Sequence, residues 1–176
     1  STLCPHGFAR VIPWQLVEAD TLKNGATRLS LQMMETAESR RQLSYPYLLT
    51  MTITVGDTLK IDLSTTNKAS HPFMVGEAFH TYFHVSDVTN IEVKGLEDSL
   101  YSDKVFNYER RVQSSDIKFT GEFDRVYLNT GDDVMIHDAG FNRSIRIGKS
   151  HSASTVIWNP WADKAAEMSD MGKADE

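Results

Sequence analysis

Cys4 is the only cysteine in this 176-residue sequence, so no internal disulfide and no cysteine-rich structural zinc site can form. That scarcity fits a reducing compartment, and a cytoplasmic location is the expectation. Long apolar runs are missing too. None approaches the roughly 20 residues of a membrane span, and no stretch combines a basic start, an apolar centre and a small-residue cleavage site. There is no basic stripe either: net charge is −6, and the 18 Lys and Arg residues are scattered, which removes the electrostatic footprint of nucleic-acid binding. A few placed arginines would have to hold an anionic ligand against a repulsive overall field, which points to a small, specific anion. Phosphate-cradling glycine loops, dinucleotide fingerprints and nucleophile elbows are absent. No repeat, linker or low-complexity segment interrupts the chain, so one domain spanning 1–176 is expected. The sequence starts on Ser1, opens abruptly on Pro5-His6-Gly7-Phe8 and stops in Lys173-Ala174-Asp175-Glu176. A piece of a longer protein, truncated at both ends, is the reading this suggests.

What is present is mostly alternation. With 40% hydrophobic residues the chain has enough apolar surface for a core. Leu29, Leu31 and Met33 alternate with Arg28, Ser30 and Gln32, which predicts a strand with one buried face. Leu49, Met51, Ile53 and Val55 alternate with threonines, Gly56-Asp57 supplies a turn, and Leu59, Ile61 and Leu63 alternate on the return, so a hairpin is predicted. Further strands are expected at 77–84, 91–94, 105–108, 123–128, 134–137, 144–147 and 154–158. Short strands at such spacing argue for an all-β antiparallel sandwich or barrel with little helix. Asn159-Pro160-Trp161-Ala162-Asp163 reads as a helix start, with Asn as cap and Pro at the first position, continuing to Met168. A weaker helical turn is expected near 36–42.

The central stretch Phe79-His80-Thr81-Tyr82-Phe83 is rich in aromatic residues, and as a strand it would put His80, Tyr82 and His84 on one face. A lone histidine in such a setting is more often a satisfied structural residue than a working one. His80 and His84 are four apart, a spacing that converges on a metal only on a helix, and Thr81-Tyr82-Phe83 argues for extended chain; no metal and no cofactor is expected. Four short blocks change the weighting of His80: His6-Gly7-Phe8-Ala9-Arg10, Phe79-His80-Thr81-Tyr82-Phe83, Phe123-Asp124-Arg125-Val126-Tyr127 and Val156-Ile157-Trp158-Asn159-Pro160-Trp161.

Together, in this order, the blocks resemble the hexose-6-phosphate mutarotases (glucose-6-phosphate 1-epimerases), a branch of the aldose 1-epimerase family, over essentially the whole sequence. The resemblance implies a galactose-mutarotase-like β-sandwich and interconversion of the α and β anomers of a hexose 6-phosphate. It implies His80 as general acid, Arg10 as a phosphate contact and Asp124 as a binder of sugar hydroxyls. His6 would line the pocket, with Trp158 and Asn159 as further substrate contacts. Some members carry a glutamine where this chain has Pro5. The family's general base is a glutamate in a strand near the C-terminal end, and its second phosphate-binding arginine lies upstream of the His-Gly block. Neither has a counterpart here: Glu167 and Glu176 lie outside the matching context.

The residue types suit that chemistry. Opening a sugar ring requires a proton for the ring oxygen while another leaves the anomeric hydroxyl. Free imidazole titrates near about pH 6.5 and can both give and regain a proton. An ionised aspartate accepts two hydroxyl hydrogen bonds, and a guanidinium fork fits phosphate oxygens. The bland alternatives are a surface ion pair between Asp124 and Arg125, a solvated Arg10, and a buried aromatic cluster for Trp158, Pro160 and Trp161. Two competing functions remain: a non-catalytic sugar-phosphate-binding β-sandwich, and an aldose 1-epimerase acting on free sugars. Open sheet edges would also favour self-association.

Overall fold

A computed structural model describes residues 6–169 and 171; Cys4, Pro5, Asp170, Asp175 and Glu176 lie outside the described residues. The chain divides into two compact units, with the boundary between Phe79 and His80.

The first unit is one antiparallel sheet of four strands in sequential order, β1 (Gln15–Thr21), β2 (Thr27–Met34), β3 (Tyr47–Val55) and β4 (Leu59–Asn67). The predicted hairpin is β3–β4, paired from Tyr47↔Asn67 to Val55↔Leu59. Between β2 and β3 sits the helix α1 (Ala37–Gln42). Its N-terminal amides are satisfied by a capping box: the Ser39 amide donates to Thr36 Oγ1 at 3.1 Å, and the Thr36 amide donates to Ser39 Oγ at 2.8 Å. β1 was not foreseen, because its alternation is broken by a register shift between Leu16 and Glu18.

Cross-strand register makes one face of this sheet apolar from β2 to β4, with Leu31, Met51 and Leu63 in one row and Leu29, Ile53 and Ile61 in the next. At one end the face is covered: Ile12, Met33, Tyr47 and Leu49 are buried, with Phe8, Ala9, Trp14 and Phe73 packed on them. At the other, Val55 and Leu59 are more than half exposed, as is Leu16 on the edge strand β1. Among the described residues β1 and β4 are the edges of this sheet, each laddered to one neighbouring strand. These features predict self-association of the 176-residue chain. Sedimentation velocity at tens of micromolar should show species heavier than a 19.8 kDa monomer, and a single monomeric boundary would refute the expectation.

The second unit holds two antiparallel sheets, one ordered β10-β9-β5 and the other β11-β8-β6-β7. Their strands are β5 (Ile91–Lys94), β6 (Leu100–Asp103), β7 (Glu109–Val112), β8 (Phe123–Leu128), β9 (Val134–Asp138), β10 (Arg143–Ile147) and β11 (Ser154–Asn159). They share one core, in which Ile91, Val93 and Ile136 from the first sheet meet Tyr101, Phe123 and Tyr127 from the second. Two sheets packed face to face make this unit a sandwich. β5 ends at Gly95, whose φ of +93° and lack of Cβ are both needed, because a Cβ there would run into the Asp133 carbonyl.

Three expectations are corrected. The strand expected at 77–84 does not form: 71–87 belong to no sheet among the described residues. Aromatic and β-branched preference acts through packing on a neighbouring strand, and none is offered here. Residues 105–108 are not a strand but the turn between β6 and β7. Asp103 organises it, its carbonyl accepting from the Tyr108 amide at 2.7 Å and its Oδ1 from the Val105 amide at 3.2 Å, while Asn107 and Tyr108 take positive φ. The helix after β11, α2 (Trp161–Glu167), starts one residue later than predicted, with Pro160 in the cap position. Asn159 still serves the helix end, since its Oδ1 accepts from the Trp161 amide at 3.0 Å.

Candidate active site

The site assembles on the second unit from the pleat of β8. Strict alternation sends Phe123, Arg125 and Tyr127 to one face and Asp124, Val126 and Leu128 to the other. The first set faces the core, where Phe123 and Tyr127 are buried. Asp124 is therefore displayed on the opposite face, and register places Trp158 of β11 directly across from it. Side chains of directly opposed residues share a face and lie within contact reach. Trp158 and Asp124 are thus brought together by sheet register alone. Asn159, next in β11, is turned instead to the start of α2, so its side chain is engaged in capping.

Lys104, at the β6–β7 turn, places Nζ 3.3 Å from Asp124 Oδ1. The pair meets the ion-pair distance but not hydrogen-bond alignment: Oδ1 is buried and has no hydrogen-bond donor in the described structure. Oδ1 thus keeps acceptor capacity that no donor in the described structure fills. The expected alternative, an Asp124–Arg125 ion pair, is replaced by Asp124–Lys104, because Arg125 points to the core face and binds Asp103.

The loop carrying His80 reaches this face through Tyr82, whose ring meets Trp158 edge-on, with centroids 6.3 Å apart and planes at 81°. Tyr82 is two residues from His80, and both are exposed. Trp161, by contrast, packs against the core cluster. The Trp-Asn-Pro-Trp block is therefore divided, with Trp158 on the Asp124 face and Trp161 in the interior.

In the first unit the His-Gly-x-Ala-Arg block forms a tight turn. His6 and Gly7 have φ of 60° and 75°, the Val11 amide donates to the Phe8 carbonyl at 3.0 Å, and Trp14 Nε1 donates to the Ala9 carbonyl at 2.8 Å. Phe8 and Ala9 pack on the unit's core while His6 and Arg10 are exposed. The block thus splits into two anchoring residues and two displayed ones. Sequence reasoning passed over Lys104 and Tyr82. Tyr82 was named only as a member of the His80 block and Lys104 not at all, since the contact of each depends on which face of a sheet or loop it occupies.

With this geometry in hand, comparison with known proteins identifies the family. The sequence model of the aldose 1-epimerase family matches residues 1–176. The chain is 34% identical over 167 residues to a protein of Escherichia coli (strain K12) named "Putative glucose-6-phosphate 1-epimerase", covering 94% of this chain and 55% of that protein. A Salmonella typhimurium protein of the same name is 35% identical over the same length and shares. The crystal structure of a "putative mutarotase (YeaD)" from Salmonella typhimurium superposes with a TM-score of 0.84 at 31% identity, covering 97% of this chain and 56% of that one. The chain belongs to the aldose 1-epimerase family, and its fold is the all-β architecture of these mutarotase neighbours. It spans about half the length of the curated relatives it matches. Among the described residues no helix is long and apolar enough to cross a membrane.

Proposed function

We propose that this chain is part of one galactose-mutarotase-like domain that interconverts the α and β anomers of hexose 6-phosphates. The observation that carries the reading is the pairing of Asp124 with Trp158 on the face of β8 turned away from the core, with the His80 loop laid against Trp158 through Tyr82. Such a face offers a carboxylate for two sugar hydroxyls, an aromatic ring for the apolar side of a pyranose, and a proton donor on the adjoining loop.

His80 gives its proton to the ring oxygen while a base takes the proton of the anomeric hydroxyl. The bond between the anomeric carbon and the ring oxygen breaks, leaving an aldehyde and a free hydroxyl. Rotation about the bond to the next carbon exposes the other carbonyl face, and reclosure returns both protons. Protons and electrons balance without a cofactor. We assign the base to none of the described carboxylates; the family resemblance gives that role to a glutamate of a later strand.

Proton NMR exchange between glucose 6-phosphate anomers, run with the longest natural protein containing this chain, tests the reading. Interconversion faster than buffer supports it. Binding of the sugar phosphate with the exchange rate left at its buffer value would replace it with a non-catalytic binding function. Arg10 supplies the phosphate preference, and its exposed guanidinium is free of the block's packing role. Arg10→Ala should lower kcat/KM for glucose 6-phosphate by about 10- to 100-fold, the range of a lost hydrogen bond to a charged group. Activity on glucose should change little. An equal loss on both sugars would remove Arg10 from phosphate recognition and favour a free-sugar epimerase.

A further inference from the structure

A loop outside any sheet has no ladder to fix it, yet a general acid must be held to within a fraction of an ångström. Residues 80–87 therefore need anchors of another kind. The turn between β9 and β10 provides them.

Asp138, the last residue of β9, is fully buried. Its Oδ2 accepts from the Ser86 amide at 3.0 Å and its Oδ1 from the Ser86 hydroxyl at 2.5 Å, across 52 residues of sequence. The same Oδ1 accepts from the Phe141 amide at 3.2 Å, tying the turn to the loop. Burial pushes the Asp138 carboxyl up, but the Ser86 hydroxyl and amide, the Phe141 amide and the Arg143 charge outweigh it and hold it below its ordinary value. Further contacts follow the loop back toward His80. Arg143 donates from its guanidinium to the His84 carbonyl, and the Phe141 ring lies 5.1 Å from the His84 ring. Gly140 makes room for the arrangement: a Cβ at that position would stand 2.6 Å from Ser86 Cβ and closer still to its hydroxyl.

We propose that Asp138 is a positioning residue of the enzyme, which, through Ser86, clamps the loop that presents His80. The inference rests on the reading of His80 as general acid. The clamp closes at Ser86, six residues beyond the histidine, and the Arg143 and Phe141 contacts at His84 shorten the free length to three intervening residues. A buried carboxylate with three hydrogen bonds from a loop and a turn has few alternative geometries, so the loop has one resting place.

Ser86→Ala removes one of these hydrogen bonds and leaves the carboxylate with its two backbone donors, so the fold should survive. It is expected to lower kcat by about 10- to 100-fold, as an ångström-scale misplacement does, with KM within about twofold. Amide hydrogen exchange in residues 80–86 should rise, while exchange in β8 and β11 stays at the wild-type rate. Gly140→Ala should give the same pattern by pushing Ser86 off the carboxylate. Wild-type kcat and wild-type exchange in both variants, with His80→Ala inactive, would overturn the clamp alone. A uniform rise in exchange across the unit, with the folded fraction keeping wild-type kcat, would reduce Asp138 to a structural residue and also overturn the proposal. If His80→Ala keeps wild-type kcat, the acid reading itself fails, and that outcome is separate from either of the others.

Discussion

Replacing His80 by alanine should cut enzyme-driven anomer exchange by about 10²- to 10⁴-fold, the range that positioned general acids contribute. Among the predicted effects on activity this is the largest, because the ring oxygen of a sugar is a poor leaving group until it is protonated. The block around His80 and the placing of Tyr82 bring the prediction to this histidine. His84 lies four residues on, its ring against Phe141 and its carbonyl bonded by Arg143. His137 places Nδ1 3.1 Å from Ser144 Oγ, on β9 of the other sheet. His80 stands two residues from Tyr82, which touches Trp158 opposite Asp124. Its side chain is exposed, so the substitution should shift the melting temperature by no more than a few degrees. A folded variant with wild-type exchange would exclude His80 as the acid. Loss confined to KM would make it a binding residue.

Much of this was legible in sequence, for identifiable reasons. β2 and the β3–β4 hairpin were readable because alternation over five or more residues has a single geometric meaning. The short strands β6 and β7 were not, since four residues such as Glu109-Arg110-Arg111-Val112 carry no periodic signal and are defined by their pairing. The aromatic stretch around His80 shows the opposite failure. Its composition is that of a strand, but a strand also needs a partner, and partnership is a property of the fold. Asp124 was singled out by motif as a candidate, whereas its pairing with Lys104 and not Arg125 followed from the pleat of β8, a rule of alternation that the sequence reading had not applied to that pair. Asp138 stood just past the strand expected at 134–137, with no functional role assigned to it. Its bond to Ser86 spans 52 positions, and nothing in local sequence announces it.

The largest expected effect on stability falls at Arg125, a residue of the same block that the active-site reading does not use. Arg125 lies between two aromatic rings, its guanidinium carbon 4.4 Å from the Tyr101 centroid and 4.3 Å from that of Phe123. Its Nε donates to Asp103 Oδ2 at 2.8 Å and one terminal nitrogen to Gln113 Oε1 at 3.1 Å. That oxygen also accepts from the Tyr127 hydroxyl at 2.7 Å, and burial pushes the Tyr127 phenol up to about 12. Asp103 is 2% exposed, and Arg125 is paired with it at 2.8 Å. Arg125→Ala should therefore cost about 3–5 kcal/mol, the range for breaking a buried pair by removing one partner, and lower the melting temperature by about 10 °C. Removing the charge while keeping the stem, as Arg125→Met does, should recover little, because Asp103 stays buried and unpaired. Pairing that change with Asp103→Leu should recover most of the loss, since an apolar pair of similar volume no longer holds an uncompensated carboxylate. Thermal unfolding of the three variants followed by circular dichroism separates the contributions. If Arg125→Met is as stable as wild type, the Asp103 charge is not what Arg125 holds in place, and the aromatic sandwich alone accounts for its stabilising role.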